Sequence, residues 1–281
     1  MNQMPEFRVV IGLEVHVELS TQSKMFCGCP TTFGALPNTQ VCPVCLGMPG
    51  SLPLVNAAAV SKILKTAVAL GAEIAPRCRF ARKNYYYPDL PKNYQISQFD
   101  EPFACGGGLD IEDRTIHLTR IHLEEDAGKL VHAADARGDT TVDCNRAGIP
   151  LMEIVTEPDI QSPEEAEMFL EELALTLRYL EVSDCVMEQG SLRCDANISL
   201  CQQNTEGVPG IKTEIKNLNS FKAVRRALAF EAERQASLLA GGGTVVRETR
   251  LWNETLRATE SMRTKEEADD LANVLESGKL P

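Results

Sequence analysis

Three segments of the sequence place carboxylates, and in the first of them the histidine His16, on the polar side of strands that alternation predicts to be buried. They read Ile11-Gly-Leu-Glu-Val-His-Val-Glu-Leu19, Ile121-His-Leu-Glu-Glu-Asp126 and Leu151-Met-Glu-Ile-Val-Thr-Glu157. Successive side chains of a strand point to opposite faces, so Glu14 and His16 share one face. A sheet face with this much negative charge needs a compensating cation, because repulsion and desolvation penalise clustered carboxylates.

Magnesium is the cation that this chemistry favours, since it takes oxygen ligands and usually accompanies phosphates. The alternative is a solvated polar face on an edge strand, followed by a charged turn at residues 124–126 and an isolated exposed Glu153. The residues alone leave both interpretations open. They also leave open whether Glu124 or Glu125 faces a metal, because neighbouring strand residues point to opposite faces.

Four cysteines form two close pairs, Cys27-Gly-Cys29 and Cys42-Pro-Val-Cys45. Two thiolate pairs joined by a short loop rich in proline and glycine are typical of a tetrahedral zinc site, and the alternative is a set of buried or incidental cysteines. Because the protein would supply all four ligands, we expect a structural site, within a loop of about residues 24–50.

Two further stretches contain more polar and charged side chains than a simple connecting loop needs. Residues 82–98 mix cations, phenols and amides in a segment that is long for a connector, so they could bind a phosphate or stack a base. A surface loop held together by tyrosine packing is the alternative. Residues 216–220 join a strand to a helix, where Lys216 and backbone N–H groups could hold an anion, although a simple Ser220 helix cap explains the pattern equally well.

The elements that must position these residues follow from periodicity and from capping signals. Residues 192–200 alternate between apolar and polar positions, which puts Asp195 and Asn197 on the polar side of a strand. Helices are predicted at about 56–70, 162–179 and 220–240. Strands are predicted near 8–19, 109–113, 115–123, 129–133, 140–144, 151–156, 192–200, 211–217 and 244–252, with 20–53 and 78–108 irregular. This order predicts an α+β fold, with flanking helices on a mainly antiparallel sheet.

Composition narrows the functional classes. The chain has 281 residues and a formal net charge of −12, which argues against a broad non-specific nucleic-acid surface. It has no apolar run long enough to span a bilayer and no visible signal peptide, so we expect no membrane association and a cytoplasmic location. The ten cysteines are then expected to stay reduced.

Long and specific motifs lie at residues 10–19, 82–89, 94–98, 122–129, 153–159, 190–199 and 216–221. They closely resemble those of the GatB family, the B subunits of aspartyl/glutamyl-tRNA amidotransferases. The resemblance covers about residues 7–270 in order, and it implies that residues 1–270 form a catalytic cradle domain similar to glutamine synthetase.

The family resemblance implies an enzyme, a glutamine-dependent ligase that forms carbon–nitrogen bonds. Such a subunit uses ATP to phosphorylate the side-chain carboxylate of glutamate or aspartate mischarged on tRNA(Gln) or tRNA(Asn). Ammonia released from glutamine by the amidase subunit GatA then displaces the phosphate, and a small subunit, GatC, clamps the complex. Phosphorylation gives a carboxylate a good leaving group, and magnesium neutralises the charge that develops.

The resemblance also assigns roles to individual residues. It implies that the magnesium and ATP pocket contains Glu14, His16, Glu153 and Glu124 or Glu125, and we expect Glu14, His16, Glu125 and Glu153 as the metal ligands. The four cysteines match the zinc-bearing branch of the family. Further polar residues would line the nucleotide pocket, the aminoacyl end or the ammonia path: Arg82, Lys83, Tyr85, Tyr87, Asp195, Asn197 and Lys216.

The sequence departs from the family pattern at its end. Residues 271–281 follow where an aromatic-rich segment is expected, so we expect a divergent tail without the helical and tail domains that hold tRNA. An alternative function is therefore a zinc-stapled assembly module that binds GatA and GatC without full activity. A third is a glutamine-synthetase-like enzyme that acts on a small free carboxylate.

Overall fold

The computed structural model describes residues 7–132, 140–202 and 210–264. Over these ranges the helices are α1 (Ala57–Ala69), α2 (Pro163–Tyr179) and α3 (Phe221–Ala240), with a short 3₁₀ turn at Met187–Gln189. The strands are β1 (Phe7–Glu18), β2 (Glu73–Ile74), β3 (Ala81–Asn84), β4 (Tyr94–Ser97), β5 (Ala104–Cys105), β6 (Gly108–Ile111), β7 (Arg114–Glu125), β8 (Lys129–His132), β9 (Thr140–Asp143), β10 (Pro150–Thr156), β11 (Leu192–Gln202), β12 (Thr213–Leu218), β13 (Glu248–Asn253) and β14 (Ala258–Thr264).

Ten of the described strands form one large sheet, in the order β14-β13-β12-β11-β1-β10-β7-β5-β2, with β6 also paired to β7. Neighbouring strands are antiparallel except for β12 and β13, which run parallel. The small ladders β3–β4 and β8–β9 lie outside this sheet. The predicted α+β class with a mainly antiparallel sheet is confirmed, whereas its likeness to glutamine synthetase stays a prediction.

Strand β1 lies at the centre of the sheet and determines which face is polar. Leu13, Val15 and Val17 are buried, and the residues between them are half-buried. The buried side chains join one core cluster with apolar residues of α2 and α3, such as Phe169 and Val224. The helices therefore cover the apolar face, and the acidic residues of β1 occupy the other face. Because β1 pairs with β10 and β11, the edge-strand interpretation of its polar residues is wrong.

Local capping signals set the beginning of each helix. Asn56 accepts hydrogen bonds from the first-turn amides of α1, Ser162 accepts from Glu165, and Ser220 accepts from Ala223. These side chains satisfy amides that have no partner within the helix. The predicted caps and the extents of all three helices are thus confirmed. Within the described part of the chain, no helix has the length and apolarity needed to cross a bilayer.

The prediction that residues 78–108 are irregular is wrong in part. Strands β3 and β4 form a hairpin there, with Arg82 opposite Ile96, and β3 is exposed along its length. An exposed strand lacks the apolar alternation that identifies strands in a sequence, so only the backbone pairing reveals it. The glycine triplet at 106–108 includes a close approach, since a side chain at Gly107 would meet the Leu70 carbonyl.

One further expectation needs adjustment near the end of the described chain, and another is not tested there. The last predicted strand, at 244–252, begins later, at Glu248, and is followed by β14, which was not predicted. The predicted divergence at residues 271–281 lies outside the described residues, so the boundary at residue 270 stays a prediction.

Candidate active site

Strand register brings four polar side chains into one row across the sheet. Arg193 of β11 lies opposite His16 of β1, His16 lies opposite Glu153 of β10, and Glu153 lies opposite His122 of β7. Directly opposite residues share a face, so the row lies on the face that the helices leave open. Glu124, two residues beyond His122 on β7, lies on that face as well.

Three of these residues bring potential metal ligands together. One ligand atom from each of His16, Glu124 and Glu153 lies within 4.8 Å of the others. The His16 Nε2 atom is 3.5 Å from a Glu153 oxygen and 3.9 Å from a Glu124 oxygen. Octahedral Mg²⁺ with bonds of about 2.1 Å places neighbouring ligands about 3 Å apart and opposite ligands about 4.2 Å apart. The two His16 spacings lie between these values, so the three residues, called the triad below, could hold a divalent cation such as magnesium.

His122 lies beside the triad. Its Nε2 atom is 3.1 Å from Glu153 and 3.6 Å from Glu124. Burial opposes protonation, but contacts with Glu124 and Glu153 outweigh it and raise the pKa of His122 to about 9. Burial alone would raise the pKa of Glu153. Contacts with His122 and His16 lower it by more than burial raises it, so the pKa of Glu153 lies well below its ordinary value. Glu153 is therefore ionised and available to a cation.

The structure separates the two adjacent glutamates. Glu124 accepts a hydrogen bond of 2.9 Å from the Ser97 hydroxyl and lies in the triad. Glu125 points away from the triad, where it pairs with Lys92 and accepts a 2.9 Å hydrogen bond from the Ile96 amide. The structure thus brings Glu124, and not Glu125, together with His16 and Glu153.

Glu14 lies two residues before His16 of the triad on β1. It accepts a hydrogen bond of 3.0 Å from the Asn197 side chain, and its register partner on β11 is Asp195. Asp195 pairs with Lys216, which is 3.2 Å from Glu214. These predicted pocket residues thus share the polar face of the sheet, but they form a second group beside the triad.

Two clefts open on this face. One, of about 330 Å³, is polar and contains His16, Glu124, Asp126, Arg193 and Asp195 among its lining residues. The other, also of about 330 Å³, is largely apolar. Its lining includes Val10, Leu13, Glu14, Val155, Asn197 and Ile198. The two clefts are thus lined by neighbouring positions of β1 and β11.

The β3–β4 hairpin and the residues that follow β3 contribute to the polar cleft. Lys83 and Tyr85 line it, and the Lys83 ammonium lies 5.8 Å from the Tyr85 ring centroid. Burial and the charge of Glu124 raise the pKa of Tyr85 to about 12. Arg82, in contrast, stacks over Tyr94 at 4.6 Å, and Tyr87 packs edge-on against Tyr85. Neither Arg82 nor Tyr87 is among the residues that line this cleft.

The four paired cysteines converge in the loop between β1 and α1. One sulfur from each lies within 4.8 Å of the others. The Cys42 and Cys45 sulfurs are 3.9 Å apart, and a ZnS₄ tetrahedron with bonds of about 2.3 Å has edges of about 3.8 Å. The buried Lys24 places its ammonium 3.6 Å from the Cys45 sulfur. The cluster could therefore hold a structural metal, with Lys24 offsetting thiolate charge.

Three residues were missed as site residues: Asp126 and Arg193, which line the polar cleft, and His122, which lies beside the triad. His122 lies two positions before Glu124, and Arg193 alternates with Asp195, so strand periodicity could have identified both. Asp126 follows β7, where periodicity ends, and it is found only from its contacts. It is buried and 2.7 Å from the Arg193 guanidinium.

The amino-acid sequence matches the model of a known class of catalytic domain. The chain belongs to the GatB/GatE catalytic domain family, whose model matches residues 9–278. This confirms the predicted family.

Its relatives include proteins named as the B subunit of an aspartyl/glutamyl-tRNA(Asn/Gln) amidotransferase. Identity to the protein of Moorella thermoacetica is 56% over 281 residues, covering 98% of this chain and 59% of that protein. Identity to the Carboxydothermus hydrogenoformans protein is 55% over 273 residues, covering 95% of this chain and 56% of that protein. The chain thus spans less than two thirds of the length of these relatives.

Proposed function

We propose that this chain carries the ATP-dependent, carboxylate-activating site of a tRNA-dependent amidotransferase. The observation that carries the proposal is the convergence of His16, Glu124 and Glu153 from three adjacent strands. The names of the relatives supply the reaction, amide transfer to aspartate or glutamate on tRNA(Asn) or tRNA(Gln).

The triad and the neighbouring clefts fit the substrates of such a reaction. Bound magnesium would neutralise nucleotide phosphates and polarise the phosphoryl group. Glu124 and Glu153 are buried carboxylates, and they would hold this ion beside the neutral form of His16. The largely apolar cleft, with Val10, Val155 and Ile198 among its lining, has the character needed for an adenine base. The polar cleft would then receive the aminoacyl group.

The proposed reaction has two steps. An oxygen of the glutamate or aspartate side chain attacks the γ-phosphorus, and the bond from phosphorus to the ADP oxygen breaks. Ammonia then attacks the carbonyl carbon of the acyl phosphate, inorganic phosphate leaves with the bonding electrons, and the nitrogen loses a proton. The side chains that line the cleft would position the two reactants.

The family resemblance supplies the remaining components of this proposal. An amidase subunit, GatA, would produce the ammonia, and GatC would clamp the assembly. Zinc would occupy the four-cysteine cluster, where it would hold the loop that precedes α1. The mischarged tRNA is the carrier of the substrate carboxylate.

Reconstitution with GatA and GatC tests the proposal directly. We expect formation of amidated aminoacyl-tRNA that requires ATP, Mg²⁺ and a mischarged tRNA. Glu153→Gln should abolish product and weaken the Mg²⁺ dependence of ATP binding, because a central anionic ligand is lost. Glu167→Gln is a matched control, since Glu167 pairs with Arg225 in the helical layer.

The alternative functions give different results in the same experiment. Assembly of the complex without product would overturn the catalytic proposal and favour an assembly module. Phosphate release with free glutamate or aspartate and no tRNA would favour an enzyme that acts on small carboxylates.

A further inference from the structure

Arg193 occupies a position in the polar cleft that has no assigned role. In the register of the sheet it lies opposite His16, on the side away from Glu153. Across the sheet the order is Arg193, His16 and Glu153. The guanidinium therefore comes from the strand next to the one that carries His16, the first residue of the triad. An arginine is always charged in a protein, so this side chain brings a permanent cation to an acidic site.

A carboxylate holds the Arg193 guanidinium in place. Its Nη2 atom donates a hydrogen bond of 2.7 Å to Asp126. Asp126 is itself fixed, because it is buried, accepts from the Ala127 amide and lies 3.5 Å from Arg146. Burial opposes the charge on Arg193, but the attraction of Asp126 outweighs it and raises the pKa of Arg193. The cation is thus oriented before any ligand arrives.

The other basic groups described on this face contact neighbouring groups: the Arg120 guanidinium lies 3.7 Å from Glu153, and His122 lies 3.1 Å from the same carboxylate. Arg146 donates to the Ala127 and Gly128 carbonyls at 3.0 and 2.7 Å, so its guanidinium braces the backbone. Lys83 lies over the Tyr85 ring, and Lys216 lies between Asp195 and Glu214.

Arg193 combines a position fixed by Asp126 with donors that it keeps. Among the described residues, Asp126 is the hydrogen-bond acceptor found for its guanidinium. A guanidinium carries five N–H donors in a planar fork, so Arg193 retains donors for an anionic ligand. Its side chain is 34% exposed and lines the polar cleft.

We propose that Arg193 binds the phosphoryl group while it moves from the nucleotide to the substrate carboxylate. This inference rests on the proposed function, because it assumes that ATP phosphorylates a carboxylate in this cleft. The triad alone cannot hold a second anion next to the nucleotide without repulsion. Arg193 would donate to the phosphoryl oxygens, where negative charge spreads as the bond to ADP breaks and the bond to the carboxylate oxygen forms.

The test compares nucleotide binding with binding of a transition-state mimic. The chain is titrated with Mg²⁺-ADP, with and without aluminium fluoride, which imitates the transferring phosphoryl group. We expect aluminium fluoride to tighten binding of ADP to the unmodified chain. Arg193→Gln should remove about 100-fold or more of this tightening while changing Mg²⁺-ADP affinity about threefold or less.

Two further variants make the test specific. Arg193→Lys keeps the charge and its partner Asp126, so it should fold, yet it lacks a second donor arm and should lose about tenfold or more of the tightening. Arg225→Gln is the matched control, because Arg225 pairs with Glu167 in the helical layer. It should bind both ligands as the unmodified chain does.

Each result either supports or overturns the proposed role of Arg193. Loss of tightening in both Arg193 variants, with tightening retained in the control, supports the assignment. Full tightening in both Arg193 variants would overturn it and leave the proposed nucleotide site intact. If the unmodified chain binds no Mg²⁺-ADP, or gains nothing from aluminium fluoride, the nucleotide site itself is wrong and the role of Arg193 is excluded with it.

Discussion

Replacement of Cys42 by serine should release a metal and loosen the loop between β1 and α1. This loop carries the bridge between Ser23 and Pro30 but none of the strands or helices described above. Its order therefore depends on turn hydrogen bonds and on side-chain contacts, among which the four-sulfur cluster is central. Serine preserves the volume of cysteine but removes the soft thiolate that zinc prefers.

The stability lost with the metal follows from the length of the loop that the cluster closes. A metal that joins Cys27 to Cys45 closes a loop of slightly fewer than 20 residues, much as a disulfide would. The loop-entropy relation gives about 3 kcal/mol for such a closure. Loss of the metal should therefore raise the equilibrium for local opening of the loop by roughly 150-fold, because each 1.4 kcal/mol is a factor of ten.

Elemental analysis and hydrogen exchange measure the two parts of this prediction. We expect about one zinc per unmodified chain and almost none in Cys42→Ser. Exchange of loop amides that bond locally, such as those of Leu46 and Gly47, should accelerate by about two orders of magnitude. Cys144→Ser is the matched control, because Cys144 adjoins Lys24 but its sulfur is outside the cluster.

Two results would refute this reasoning. One is full zinc content in Cys42→Ser, which would place the metal elsewhere. The other is loss of zinc without faster loop exchange, which would show that hydrogen bonds alone order the loop. An unmodified chain without zinc, after expression in zinc-supplemented medium, would also exclude the site.

Three further predictions concern stability. Phe169→Ala should lower the free energy of unfolding in urea by about 3–5 kcal/mol, because Phe169 is fully buried in the core. Ser162→Ala should lower it by about 1 kcal/mol through loss of the cap of α2. Burial raises the pKa of Glu248, but contacts with Ser261 and Arg250 outweigh it, so the net shift is downward. Glu248 thus stabilises the fold above about pH 4.5, and Glu248→Gln should show less loss of stability as pH falls below that value.

Controls for these three changes use conservative or exposed positions. Phe169→Leu should cost less than the alanine variant, and Ser162→Asp should keep the cap and the stability. Glu188 is exposed, so Glu188→Gln should leave the acid dependence unchanged. Equal stability of Phe169→Ala and the unmodified chain, or an unaltered acid profile in Glu248→Gln, would contradict the packing and the ion pairs described here.

The sequence by itself determined the features that local chemistry specifies. The cap at Ser162, the alternation of β1 and the paired cysteines each depend on neighbouring residues, so they could be recognised before any fold was known. Side-chain alternation also put Glu14 and His16 on one face of a strand. These patterns were sufficient for the α+β class and for most element boundaries.

Tertiary structure decided which of these residues meet. The choice of Glu124 over Glu125 depends on how β7 aligns with β10, and the positions of His122 and Arg193 depend on register across four strands. The exposed strand β3 has no apolar alternation to recognise. The parallel pairing of β12 with β13 likewise has no signal in the sequence. Pairing between distant strands is a non-local property, because backbone hydrogen bonds fix it and they are the same for almost every residue type. The sequence therefore indicated the ligands, and the sheet register selected those that form the triad.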